Sequence, residues 1–278
     1  MGKEQYRNEQ WLKEQFNLYK TPTEVSRATG YPRTCITRYA KRFGIYESKF
    51  NREQKLQFNF DYFNIIDSPD KAYFLGLIMA DGCMYQKKDK TKAYQFSIKL
   101  SEKDSDIIEK FCEYIGFPKD KIRYRSGIRQ GHECKAVEIQ INDQTFCNHL
   151  INKGIVPQKT GQEYMPNCNG FEIDFIRGFI DGDGWIYDRT KDENKFRFEI
   201  GYCSTSENIM NDINNFLINN YDISMNYTKS KTVMSHKTTA KNKVFKLINN
   251  IYYNNCIALN RKLQVARQIQ NKMNKNLF

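Results

Sequence analysis

The sequence lacks the features that mark exported proteins, membrane-spanning proteins and proteins stabilised by structural zinc. It contains no uncharged apolar run close to the roughly 18 residues that a membrane span requires, and its start, MGKEQYRNEQ, has no signal-peptide core. It has only three histidines, and no two of its eight cysteines form a CxxC pair. Neither a structural zinc site nor a secreted disulfide framework is therefore expected. A soluble protein of a reducing compartment, without contact to a membrane, remains.

Basic residues outnumber acidic ones near both ends of the chain. Lys and Arg number 44 against 32 Asp and Glu, which gives a formal net charge of +12. Residues 1–55 carry 12 basic and 6 acidic side chains, and eleven Lys and Arg but no acidic residue follow Asp222. Residues 56–170 are almost neutral, with 16 basic and 15 acidic side chains. Two basic regions on either side of a neutral one indicate contacts with nucleic-acid phosphates.

Residues 6–43 have the pattern of three short helices. Thr21, Pro22 and Glu24 form the start signal of the second helix, and Gly30 and Pro32 separate it from the third. A helix, a Gly-containing turn and a basic second helix resemble a helix-turn-helix DNA-binding unit. The alternative is an ordinary helical hairpin with a solvated basic face. The candidate DNA contacts of the third helix are Arg33, Thr34, Thr37 and Arg38.

An internal duplication is the most informative feature of the sequence. The segment FLGLIMADG, residues 74–82, matches IRGFIDGDG, residues 176–184, at an offset of 102. The similarity continues through the strand-like FSI and FEI and the capping boxes SEKD and STSE. Two copies of one unit are therefore expected, over residues 68–168 and 169–278, each ordered helix, strand pair, helix, strand pair, helix. Residues 48–67 would link them to an N-terminal segment, residues 1–47.

Small residues recur four positions apart in both motifs: Gly76 with Ala80, and Gly178 with Gly182. At this spacing they share one helical face and let two helix backbones approach closely. Paired helices would bring Asp81 and Asp183 together at their C-terminal ends, where the helix dipoles and mutual repulsion disfavour both charges. A bound divalent cation resolves this conflict, and carboxylate oxygens suit Mg²⁺. A single Asp-Gly could simply end a helix, but two at matched positions favour a metal site.

The two motifs and their spacing resemble those of the LAGLIDADG homing endonuclease family, in its single-chain form with two repeats. The resemblance covers residues 70–278 and implies an α+β fold in which two αββαββα repeats form a pseudo-twofold saddle over double-stranded DNA. A monomer preceded by the small three-helix segment is therefore expected. The resemblance also implies that Asp81 and Asp183 bind Mg²⁺ or another divalent cation such as Mn²⁺, with the backbone of Ala80 and Gly182 as further candidate ligands. Met79 departs from the acidic sixth position of the family motif.

The family also places a basic residue after the last strand and helix of each repeat. Lys159 follows Asp81 by 78 positions and Lys262 follows Asp183 by 79, so these two lysines match that place. Arg261 is the competing candidate in the second repeat. A lysine near the metal could stabilise charge on the phosphate or help to activate the attacking water. The resemblance thus makes Lys159 and Lys262 catalytic candidates.

The resemblance assigns recognition of the DNA sequence to the exposed faces of the two sheets. Arginine can bind guanine through two hydrogen bonds in the major groove, whereas lysines on loop tips more often contact phosphate. The candidates are Lys121, Arg123, Arg125 and Arg129 in the first repeat, and Arg197, Lys229, Lys231 and Lys237 in the second.

Together these features favour a site-specific double-strand DNA endonuclease that hydrolyses phosphodiesters with a divalent metal. The alternative is a non-cleaving DNA-binding regulator or an RNA-splicing maturase on the same fold. A cytoplasmic location is expected, with a prokaryotic or phage-encoded gene, and an organelle is the alternative.

Overall fold

The computed structural model describes residues 4–46, 57–88, 92–129, 131–190 and 196–275. The chain divides into two compact units, Met1–Gln57 and Phe58–Phe278. Within the described residues, no helix combines the length and apolarity needed to cross a bilayer.

The described part of the N-terminal unit contains a short 3₁₀ turn and the three helices that the sequence predicts. They are α1 (Glu9–Tyr19), α2 (Pro22–Thr29) and α3 (Arg33–Arg42). Thr21 caps α2 because its hydroxyl oxygen accepts a hydrogen bond from the Glu24 amide, and Gly30 ends that helix at φ 72, in the left-handed region that glycine tolerates. Apolar side chains from all three helices, among them Leu12, Val25 and Ile36, form a small core.

The second unit contains two successive copies of one fold. The first comprises α4 (Pro69–Asp81), β1 (Gly82–Gln86), β2 (Tyr94–Ser101), α5 (Ser105–Ile115), β3 (Arg123–Arg129), β4 (His132–Ile141) and α6 (Gln144–Asn152). The second comprises α7 (Glu172–Asp183), β5 (Gly184–Asp188), β6 (Phe198–Ser204), α8 (Glu207–Tyr221), β7 (Asn226–Ser230), β8 (Val233–Thr238) and α9 (Lys241–Ile251). The predicted α+β class and αββαββα order are confirmed. A further helix, α10 (Asn260–Lys275), follows the second copy and was not predicted.

Each copy builds one antiparallel four-stranded sheet, in the matching orders β1-β2-β4-β3 and β5-β6-β8-β7. Side chains alternate between the two faces of a strand. In β2, Phe96, Ile98 and Leu100 are buried, whereas Lys99 is exposed. Each sheet therefore packs one face into the core that it shares with the helices and leaves a second face, the open face, to solvent.

Helices α4 and α7 pack against each other at backbone distance. A Cβ atom added to Gly76 would lie 2.0 Å from the Phe175 carbonyl oxygen, and one added to Gly178 would lie 2.0 Å from the Tyr73 carbonyl oxygen. No side chain fits at either position. The two glycines thus set how closely the two repeats approach each other and align the C-terminal ends of the two helices.

The expected linker over residues 48–67 is wrong in its second half. Tyr62, Phe63 and Ile66 are buried in the core of the second unit, and the Asn59 amide donates a hydrogen bond to the Ile115 carbonyl, N···O 2.7 Å. The aromatic residues of this segment bury apolar area against the first repeat, which holds it in place. The first half of the expected linker, residues 48–56, lies outside the described residues.

Candidate active site

Asp81 and Asp183 end the two abutting helices, and their carboxylates meet where those helices end. A Cβ atom on Gly182 would lie 2.8 Å from Asp81 Oδ2, so the Asp81 carboxylate lies against the last turn of α7. Burial, followed by the charge of Asp183, raises the pKa of Asp81 to about 6. Partial burial also raises the pKa of Asp183, although this residue is exposed to solvent. The charge of Glu163 adds to the effect of burial on Asp183. Two carboxylates whose charged forms are disfavoured in this way, at the ends of abutting helices, form a site suited to a cation.

Lys159 and Lys262 each cap the motif helix of their own repeat. Lys159 Nζ donates hydrogen bonds to the carbonyl oxygens of Met79 (2.6 Å) and Ala80 (3.1 Å). Lys262 Nζ donates to the carbonyl oxygens of Ile180, Asp181 and Gly184 at 2.5, 2.7 and 2.7 Å, respectively. Both side chains are buried, with exposed fractions of 9% and 4%. The two ammonium groups therefore occupy equivalent places, at the negative ends of the two helix dipoles.

Arg261, the competing candidate, does not lie at the helix end. Its guanidinium forms an ion pair with Asp104 of the first repeat, with Nε 3.1 Å from Oδ1. The structure thus places Lys262, and not Arg261, opposite Lys159 in the pseudo-twofold arrangement.

Each carboxylate is also influenced by the charge of the lysine of the other repeat. Among the positive charges that lower the pKa of Asp81, Lys262 has the largest effect, and for Asp183 it is Lys159. Burial in turn lowers the pKa of both lysines, that of Lys262 to about 8. The site therefore divides into two composite halves: Asp81 with Lys262, and Asp183 with Lys159.

The donor set fits a hard divalent cation that keeps part of its water shell. Within the described residues, no three His, Cys, Asp or Glu side chains cluster closely enough to form a complete metal cage. Mg²⁺ binds through one or two carboxylates plus substrate phosphates, so Asp81 and Asp183 would suffice to hold it. The Ala80 carbonyl already accepts a hydrogen bond from Lys159, which leaves it less available as the further ligand that was expected.

The arginines expected to contact DNA from the first sheet lie on its open face. Arg123 is in register with Glu138 and Arg125 with Ala136, on the side opposite the buried Val137. Their guanidinium groups bind Gln140 and Glu138, respectively. Two further candidates stand at the ends of this strand: Lys121 is exposed in the turn before β3, and Arg129 ends β3 in register with His132.

In the second sheet one candidate lies on the wrong face. Lys237 is in register with Gly201, on the open face, while Lys231 is exposed in the β7–β8 turn and Arg197 is exposed just before β6. Lys229 is in register with Met234, which is buried, so Lys229 is on the helix side of the sheet. Its expected place on the open face is therefore wrong, because faces alternate along a strand and a one-residue difference in register exchanges them.

The candidate residues of the N-terminal unit lie on α3. Arg33, Thr34 and Arg38 are exposed, and Thr37 is half-buried. The Arg38 guanidinium lies over the Tyr39 ring, 5.1 Å from its centroid. This leaves two arginines and a threonine on the helix surface that faces solvent.

Two buried carboxylates beside the site were not assigned a role by sequence analysis. Asp181 is fully buried in the second motif, and Glu163 is 7% exposed in the loop that carries Lys159. A signal existed for both: Asp181 occupies the sixth motif position, and Glu163 follows Lys159 by four residues. The side-chain partners of Asp181 lie 71 to 108 residues away in sequence, which the motif does not reveal.

Comparison with known proteins shows a likeness in fold without a likeness in sequence. No family model and no curated protein matches the chain. A variant of I-SmaMI with two lysines replaced by alanine matches with a TM-score of 0.51 at 12% identity, over 75% of this chain and 92% of that one. Meganuclease I-SmaMI bound to uncleavable DNA matches with a TM-score of 0.50 at 12% identity, over the same shares. I-SmaMI is a LAGLIDADG homing endonuclease. The likeness establishes a common fold for about three quarters of the chain.

Proposed function

We propose that this chain is a site-specific double-strand DNA endonuclease of the LAGLIDADG homing type, dependent on a divalent metal such as Mg²⁺. The observation that carries the proposal is the pairing of two carboxylates at the ends of abutting helices, with a buried lysine hydrogen-bonded to the end of each helix. A protein that only binds DNA has no need for two buried lysines beside two carboxylates. The fold shared with I-SmaMI supports the same conclusion.

The site opens toward the surface proposed to bind DNA. A cavity of about 720 Å³ is lined by Asp81 and by Lys99, Arg125 and Ile128 of the first sheet, together with Arg261. Basic side chains on an open sheet face can neutralise phosphates and contact bases in the major groove. A duplex bound across the open faces would thus have its backbone beside the carboxylates.

The four residues of the site have two roles: two bind the cation, and two supply positive charge. Asp81 and Asp183 would hold the cation, which would supply Lewis acidity toward the phosphate and make a nearby water more acidic. Lys262, beside Asp81, and Lys159, beside Asp183, present ammonium groups that can stabilise negative charge developing on the phosphate. Because the halves are related by pseudo-symmetry, each would act on one strand, and a single chain would cut both.

The test is cleavage of the uninterrupted target. Joining the DNA sequences that flank this gene at its insertion point reconstructs that target in a plasmid. With Mg²⁺ the protein should convert the supercoiled plasmid to a linear product cut at one place in each strand, and with EDTA it should not. Specific binding without cleavage under both conditions would instead support the regulator or maturase alternative.

Replacing either lysine with Met should slow cleavage more than it weakens binding. We expect a loss of about 10²- to 10³-fold in cleavage rate for Lys159→Met or Lys262→Met, comparable to removing one transition-state hydrogen-bond donor. Arg261→Met is the comparison variant: because its guanidinium pairs with Asp104, its loss should slow cleavage less than the loss of Lys262. Equal losses in affinity and rate would make the lysines phosphate anchors. Damage from Arg261→Met but not from Lys262→Met would show that Arg261 has the catalytic role.

Deleting residues 1–50 should remove a separate set of DNA contacts. If α3 enters the major groove, the truncated protein should show a shorter footprint, weaker affinity and a flatter salt dependence, by about 0.9 in log K per decade of salt for each lost phosphate contact. Cleavage at saturating protein should persist, because both acids and both lysines lie in the second unit. The paired substitution Arg33→Ala and Arg38→Ala should reproduce part of the loss, and Arg27→Ala, on the exposed surface of α2, should not. An unchanged footprint and salt slope would show that this unit does not touch DNA.

A further inference from the structure

The two halves of the site obtain a buried carboxylate from different places. The second motif has Asp181 where the first has Met79. Conversely, Glu163 follows Lys159 by four residues, whereas Ala266 follows Lys262 by four. One acid thus comes from the helix in one repeat, and one from the loop in the other.

Asp181 fixes the segment that carries Lys262. Its carboxylate is fully buried and accepts hydrogen bonds from the hydroxyls of Tyr73 (2.8 Å) and Tyr252 (2.6 Å) and from the Leu259 amide (2.7 Å). The Leu259 carbonyl in turn accepts a hydrogen bond from the Lys262 amide in the first turn of α10, N···O 3.0 Å. The Asp181 side chain therefore fixes the position of the backbone segment that leads into Lys262.

Glu163 is held next to Lys159 by three contacts. Its Oε1 lies 4.0 Å from Lys159 Nζ, and its Oε2 accepts a hydrogen bond from the Gly161 amide at 2.7 Å. Its backbone carbonyl accepts a hydrogen bond from the Ser206 hydroxyl, 2.6 Å, at the start of α8. The loop that carries Lys159 is thereby joined to the second repeat, with a carboxylate directed at the ammonium group.

The residues around the first motif do not favour an acid at position 79. Tyr73 supplies a hydroxyl to Asp181 from the opposite helix, and the matching position for the first motif, 102 residues on, is Phe175. Phenylalanine has no hydroxyl, so an acid at position 79 would lack this donor and remain buried at high cost. Met79 and Phe175 are instead both part of the apolar core.

A buried ammonium group needs a compensating charge. Desolvating it costs several kcal/mol in proteins, and helix-end carbonyls contribute only partial charges. Burial lowers the pKa of both lysines, and the largest opposing influence is the charge of Glu163 for Lys159 and that of Asp181 for Lys262. Each lysine thus has one dominant carboxylate partner.

We propose that Glu163 is a positioning residue for Lys159 and does for this lysine what Asp181 does for Lys262. The inference rests on the proposed endonuclease function. Glu163 acts on cleavage through Lys159; its charge also raises the pKa of Asp183, which belongs with Lys159 to one half of the site, so Glu163 affects the cleavage of a single strand.

Strand-resolved kinetics test this assignment. In a target duplex with a different label on each strand, Lys159→Met identifies the strand that Lys159 serves. Glu163→Gln, which preserves shape and the bond from Gly161, should slow that same strand about 10-fold or more, the scale at which supporting residues act in catalytic sites. Nicked DNA should accumulate while DNA affinity stays unchanged. In the Lys159→Met background, Glu163→Gln should have no further effect. Asp181→Asn should slow the other strand, the one that Lys262→Met slows.

Glu172→Gln is the matched control, because Glu172 also accepts a backbone hydrogen bond, from the Cys168 amide, but lies at the opposite end of α7. It should leave both strands at the wild-type rate. Two results would overturn the proposal. Equal slowing of both strands by Glu163→Gln would make Glu163 a general structural residue. A further loss of rate in the Lys159→Met background, with a changed Mg²⁺ requirement, would make it a metal ligand.

A second readout needs neither DNA nor metal. In NMR spectra of protein with labelled lysine side chains, the ammonium signal of Lys159 should shift in Glu163→Gln and not in Glu172→Gln. An unchanged signal would contradict the proposal even if the wild type cleaves DNA. If the wild type does not cleave, this shift still decides whether Glu163 holds Lys159, so failure of the endonuclease function is recognised separately.

Discussion

Asp81→Asn or Asp183→Asn should abolish double-strand cleavage and leave DNA binding intact. Each substitution removes one anionic ligand of the proposed metal site without removing a phosphate contact. Metal catalysis contributes several kcal/mol of charge stabilisation, and about 1.4 kcal/mol corresponds to a factor of ten, so a loss of about three orders of magnitude in rate is expected. Affinity should stay constant or rise, because an acidic charge near the DNA backbone is lost.

A plasmid-cleavage assay with Mg²⁺, together with a binding assay on the same DNA, measures both quantities. Asp120→Asn is a suitable control, because Asp120 is exposed in the turn before β3 and its substitution also removes one negative charge. It should cleave at the wild-type rate. Full activity in Asp81→Asn or in Asp183→Asn would refute the assignment of the metal site.

Gly76→Ala or Gly178→Ala should destabilise the second unit severely. The new methyl group would lie 2.0 Å from a backbone carbonyl oxygen of the facing helix, a contact that only a separation of the helices can relieve. Overpacking of a core typically costs about 1–3 kcal/mol, and a clash with backbone belongs at or above the top of that range. A loss of about 3 kcal/mol lowers the melting temperature by roughly 10 °C in a domain of this size.

Thermal unfolding followed by circular dichroism measures this effect. Gly127→Ala is the matched control, since Gly127 lies in β3 with open space around its missing Cβ and an ordinary φ. It should unfold close to the wild-type temperature, as surface substitutions usually do. If Gly178→Ala melts together with Gly127→Ala, the close approach of α4 and α7 would be contradicted.

The order of elements could be predicted from the sequence because its signals are local. Two motifs 102 residues apart, followed by alternating strands and capping boxes, specify the αββαββα unit twice. The small residues four positions apart also predicted which helices meet, since this spacing acts within one helix face.

What the sequence did not reveal depends on tertiary contacts. The face occupied by Lys229 depends on how β7 registers with β8, a matter of a single residue. The segment around Phe63 has no regular pattern in the sequence and was therefore expected to be a linker, but the folded core of the second unit buries Phe63. The partners of Asp181 lie 71 to 108 residues away along the chain, so its burial cannot be seen in the motif itself.

Direct measurement of metal binding tests the central claim, that Asp81 and Asp183 together hold a divalent cation. Mn²⁺ can be titrated into the complex of the protein with its target DNA, in a form that cannot be cut, and followed by electron paramagnetic resonance. Wild-type protein should bind Mn²⁺ with signals that are lost or strongly weakened in Asp81→Asn and Asp183→Asn and retained in Asp120→Asn. Identical stoichiometry and affinity for Mn²⁺ in the wild type and in both active-site variants would show that the paired carboxylates are not the metal site.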